Sequence, residues 1–206
     1  MKTDPFVVPL VLALSLACAL AVHAETGTLS GKKLIEYGWD VPTIEYVADN
    51  LAAMEARPFD GLIFKLSGGR NVLEPQADPV DRFQDDLSVA PRVSWNKFTD
   101  NFVLMLSASE QDWFSDEHWE HITRRAAQMA HVARLAGCVG VCFDPEPYGT
   151  TPWSYLKAAH RKDKSFAEYQ AMAHERGTEF IRAIESELPA PKVLTFFLDS
   201  VFRDLL

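Results

Sequence analysis

Apolar and polar positions alternate in blocks along this chain. Five short apolar runs, at residues 33–39, 60–66, 101–107, 137–143 and 192–198, have the length and composition of β-strands. The stretches between them carry a longer period. Ile44, Val47, Leu51 and Met54 recur at helical spacing, and Pro58 ends that segment because the residue before a proline avoids helical angles. Ser115 stands as an N-cap, Asp116 and Glu117 fill an acidic first turn, and a stripe through Trp119, Ile122, Ala126, Met129, Ala133 and Ala136 runs to Gly137 as the stop. Ser165 and Glu168 then stand in capping-box spacing ahead of Tyr169, Met172, Phe180, Ile181, Ile184 and Leu188, with a break at Pro189. Residues 67–91, with Gly68, Gly69, Pro75, Pro79 and an aspartate-rich tract at 78–86, read as one long loop.

Strands alternating with helices imply a parallel sheet with right-handed crossovers, either open and doubly wound or curled into a barrel. In the fourth run Val139, Val141 and Phe143 share one face, while Cys138, Gly140, Cys142, Asp144 and Glu146 share the other. Bulky residues toward a helix layer, with small and then acidic residues toward an axis, suit a barrel. No glycine-rich nucleotide fingerprint follows the first run, where residues 38–42 read GWDVP. The expected fold class is therefore α/β: a partial (β/α)8 TIM barrel of about five strands with intervening helices. A complete barrel takes ~250 residues. The domain predicted over residues 25–206 is accordingly expected to be truncated at its C-terminus, with a missing C-terminal half or self-association to cover its open edge.

Residues 1–24 read as a signal peptide. Lys2 precedes an apolar run at 6–22, and Val22, His23 and Ala24 form a cleavage site, with the cut expected after Ala24. That predicts a secreted or periplasmic protein. A stable membrane anchor is disfavoured, because the run lies at the lower limit for a span and Pro5 and Pro9 stand at its start. A net charge of -9 without any lysine and arginine cluster argues against a nucleic-acid partner. Cys138 and Cys142 fall about 13 Å apart on one face of an extended strand, too far for a disulfide, and read as small core residues. His118 and His121 lie one helical turn apart without a third ligand, so neither a metal nor another cofactor is expected.

Chemistry in such a fold sits at the C-terminal ends of the strands. Carrying the parity of the fourth run to the others puts Glu36 and Asp40, Lys65 and Ser67, Ser107 and Ser109, and Thr195 and Asp199 each on one face. Residues 140–148, reading GVCFDPEPY, are the most informative. Asp144 and Glu146, two apart at a strand end, point into one site. Two carboxylates held close cannot both ionise cheaply, so one stays protonated as a general acid. Glycoside cleavage needs such an acid beside the leaving oxygen. Trp39, Tyr148 and Trp153 could offer flat faces to sugar rings, against the alternative of ordinary packing. Asp40, Lys65 and Asp199 complete the candidate substrate-binding set. Their structural alternatives are a helix cap for Asp40, an ion pair with Glu36 for Lys65, and a solvated turn for Asp199.

Residues 139–146, reading VGVCFDPE, resemble the fourth-strand signature of chitinase-like glycoside hydrolases, in which glycine, alternating apolar residues and a terminal Asp-x-Glu lead to the catalytic acid. Gly140, Val141, Phe143, Asp144 and Glu146 match; Val139 and Cys142 stand where that family carries further acidic residues. The resemblance implies Glu146 as general acid/base and Asp144 as its modulator, and leaves substrate-assisted chitin cleavage outside what it implies. More loosely, the mature chain is similar to uncharacterised secreted barrel proteins of glycosidase type, in which Tyr37, Gly38, Trp39 and Asp40 would close the first strand. The expected partner is a carbohydrate. Two other classes stay open: a carbohydrate-binding module without catalysis, and a divalent-cation-dependent barrel hydrolase or isomerase using Asp40, Asp144, Glu146 and Asp199.

Overall fold

A computed structural model describes residues 31–108, 112–146 and 152–196. The chain divides into two units, Met1–Lys32 and Lys33–Leu206, and the fold below is that of the second. The leader, Tyr148 and Asp199 lie outside the described residues.

Five strands, β1 (Ile35–Glu36), β2 (Gly61–Phe64), β3 (Phe102–Leu106), β4 (Gly140–Asp144) and β5 (Lys192–Thr195), form one all-parallel sheet. They lie in sequence order, β1-β2-β3-β4-β5. A doubly wound sheet reverses its strand order at a switch point, and this one does not. Right-handed crossovers in an unreversed order put every helix on one face, and the packing agrees. Leu62, Phe64, Val103, Met105 and Val141 join the helices in the main core. Ile63, Phe102, Leu104 and Cys142 bury a second, smaller cluster on the opposite face with Val41.

The sheet is curved as well as twisted. Strands four places apart would lie roughly 19 Å from each other in a flat sheet. Yet Tyr37, just past β1, packs against Phe196, just past β5, with ring centroids 4.8 Å apart and the ring planes tilted by 39°. The sheet is thus curled into a half-barrel flanked by helices.

The helices follow their local signals. α1 (Ile44–Glu55) is capped by Thr43, whose side chain accepts from the Tyr46 amide, so Asp40 is not the cap. The crossover from β2 to β3 departs from expectation: the long stretch ends in a short helix, α2 (Gln84–Val89), and a 3-10 turn at Ala90–Arg92. Buried Phe83, Val89 and Ala90 anchor it to the core. The buried Asp86 carboxylate accepts the Ser67 and Gly68 amides at 2.7 and 2.9 Å, tying the two ends of the loop together.

α3 (Asp116–Leu135) begins at the Ser115 cap and ends at Gly137, whose φ of +68° is left-handed backbone that glycine adopts without strain. α4 (Phe166–Glu187) carries the full Ser165 and Glu168 capping box. From α3 the fully buried Arg125 donates to the carbonyls of Val72, Glu74 and Gln76 at 3.1, 2.6 and 2.7 Å and pairs with Asp78. That side chain turns the 72–78 stretch into ordered structure. Sequence reasoning missed it, because an arginine in an apolar stripe looks like a solvated residue.

Strand parity is corrected at two edges. β4 starts only at Gly140, so the alternation does not reach back to 138 and 139. Cys138 packs among the helices, whereas Val139 and Cys142 belong with the concave cluster. The two cysteines are buried and free, on different faces instead of one. β1 also reads one residue out of phase. Ile35 faces the concave side, and Glu36, paired in register with Leu62, faces the helices, where it meets Arg57.

Candidate active site

Asp144 ends β4 at the C-terminal edge of the sheet. Register aligns it with Leu106, and the buried Ser107 fixes its main chain, with the amide and the hydroxyl both donating to the Asp144 carbonyl, at 2.9 and 2.8 Å. The residue is 2% exposed. One carboxylate oxygen accepts the Glu146 amide at 3.1 Å and the other the Tyr37 hydroxyl at 3.3 Å. Burial pushes this carboxyl above the usual aspartate range and the Glu146 charge adds to the push, while the two donors and the Arg70 guanidinium oppose it. Glu146 follows, half-buried, at the rim. A carboxyl whose hold on a proton is strengthened by burial thus stands two residues from a second one. The raised member is Asp144.

Tyr37 belongs to this site and was not foreseen. Its signal was present, since it shares parity with Ile35. A strand of two residues offers no alternation from which to read that parity.

The other candidates divide. Lys65 falls between Phe64 and Leu66, both buried in the helix-side core, so its side chain turns to the concave side. Its amide donates to the Pro42 carbonyl at 2.9 Å and its carbonyl accepts the Ile44 amide at 3.1 Å. The segment that follows Trp39 and Asp40 is thereby laid along the end of β2. Lys65 does not pair with Glu36, which is taken by Arg57. Trp39 is 94% exposed and Asp40 is exposed, so ordinary packing does not explain the indole.

Trp153 is corrected. It packs edge-on to Trp113 and Phe143, at 5.7 and 6.1 Å, within the helix-side core and across the sheet from Asp144. Thr195, paired with Phe143, and Ser107, bound to the β4 main chain, likewise do not line the concave site. Ser67 is at the rim but is engaged by Glu45 and Asp86.

Among the described residues no group of three or more His, Cys, Asp or Glu side chains could hold a metal ion. His118 accepts the Asp112 amide at 3.2 Å, which accounts for one of the two helical histidines. No described helix is long and apolar enough to cross a membrane. Comparison with protein-family models and with curated proteins finds no match for this chain.

Proposed function

We propose that this chain is a secreted glycoside-hydrolase-like protein acting on a glycan, built on the first units of a (β/α)8 barrel. The observation that carries the reading is the buried Asp144 carboxyl on the concave face, held by Tyr37 and by the amide of Glu146, with the Glu146 side chain two residues on at the strand end. In this reading Glu146 protonates the leaving oxygen as general acid/base. Asp144, whose carboxyl is raised by burial, modulates it from two residues away. Trp39 offers a platform for a sugar ring, and Asp40 and Lys65 orient the substrate.

Glu146→Gln keeps the shape of the side chain and removes its acid. In a screen of polysaccharides it abolishes turnover while circular dichroism and melting temperature stay as in the parent. Turnover retained by this variant would refute the assignment. The 94% exposure of Trp39 also favours a second reading, a carbohydrate-binding module. Glycan binding that depends on Trp39, with no hydrolysis in the parent chain, would decide for it.

A further inference from the structure

Lysines and arginines withdrawn from solvent normally have carboxylate partners, because a half-buried charge without one gives up hydration for nothing in return. Among the described residues the rule holds for Arg57, Arg82, Arg125, Lys164 and Arg176, each paired with an Asp or Glu. Lys65 is the exception. It is half-buried, its main chain is pinned on both sides, and among the described residues no ion pair or side-chain hydrogen bond engages its ammonium group. Nearby Asp40 forms no ion pair with it.

Its position is equally specific. Continuing the register Phe64 to Val103 to Val141, Lys65 falls in the row of Leu104 and Cys142, one concave row before Leu106 and Asp144. That is roughly 7 Å along the strands and about 10 Å across two strand spacings. In a chain of net charge -9, an unneutralised cation inside the concavity selects for an anion that the rest of the surface repels.

We propose that the glycan taken by this site is acidic, carrying a carboxylate or a sulfate ester, and that Lys65 binds that group. The inference rests on the reading of the concave face as a glycan site, but not on catalysis there. The ammonium offers three donors to such an oxyanion, and hydrogen bonds to charged groups are the strong ones.

The test is calorimetric titration of the full chain, carrying Glu146→Gln to prevent turnover, with three hexasaccharides of equal length. One is a uronate oligomer, one a sulfated oligomer and one neutral. The expected result is that one acidic oligomer binds about tenfold or more tightly than the neutral one at low salt, the worth of one charge-assisted hydrogen bond. Which acidic oligomer it is identifies carboxylate or sulfate. Lys65→Met, which keeps the aliphatic stem, abolishes the preference for the acidic oligomer over the neutral one, and Lys65→Arg restores it. Equal binding of all three oligomers, no binding of any, or a preference that survives Lys65→Met would overturn the proposal. Acidic binding with no hydrolysis by the parent chain leaves this inference standing and removes the catalytic one.

Discussion

Asp144 binds its proton more tightly in the folded chain than in the unfolded one, because burial destabilises its anion. Stability on its account therefore falls as pH rises from the ordinary aspartate value to the raised one, and the full penalty persists above that window. Asp144→Asn removes it: the amide oxygen still accepts from the Glu146 amide, and the amide nitrogen can donate to the Tyr37 oxygen. Melting curves across the acidic range should show the variant losing this component of the pH dependence and matching or exceeding the parent at neutral pH. A variant markedly less stable at neutral pH would mean that the charged form of Asp144 is the favoured one in the fold. At this scale the resemblance of residues 139–146 to a hydrolase signature and the acid pair were legible in the sequence. The partner of Asp144 was not, since Tyr37 lies 107 positions away and only folding brings it near.

The elements differ in how much of their stability is local. α4 is specified locally, with its capping box and apolar stripe, yet Gly177 sits in its interior, where an added Cβ would meet nothing within 4 Å. Gly177→Ala should raise stability by about 1 kcal/mol, the helix-propensity difference, in chemical denaturation. A neutral or negative result would show that the glycine answers a packing need outside the described contacts. The 72–78 stretch is the opposite case, shaped by a single side chain from α3. Arg125→Met leaves the half-buried Asp78 without one of its two arginines and frees three carbonyls, and should cost about 3 kcal/mol. The loop should then become open to limited proteolysis between 70 and 80; unchanged resistance would dismiss the clamp.

For the molecule as a whole the decisive contact is Tyr37 on Phe196, which joins the two outer strands across the concave face. A double-mutant cycle with Tyr37→Leu and Phe196→Leu should give a coupling of about 0.5–1.5 kcal/mol, as aromatic pairs in contact do. A flatter sheet would give none. The same curvature brings β1 to the acid pair on β4, so the site and the half-barrel stand or fall together.

Period and caps determined most of the elements. Five apolar runs became five parallel strands, and Ser115, Gly137 and the Ser165 and Glu168 pair bounded helices where expected. These signals act within a few residues, so they are present in the sequence itself. Tertiary structure decided which way each side chain faces where the strands are short. A two-residue β1 turned Glu36 out to Arg57 and Tyr37 in to Asp144, and the late start of β4 parted Cys138 from Cys142. It also sent Trp153 to the helix layer and left Lys65 facing the concave side with no carboxylate partner among the described residues. Those outcomes depend on strand register and sheet curvature, which are set by packing between residues far apart in the chain and leave no periodic trace along it.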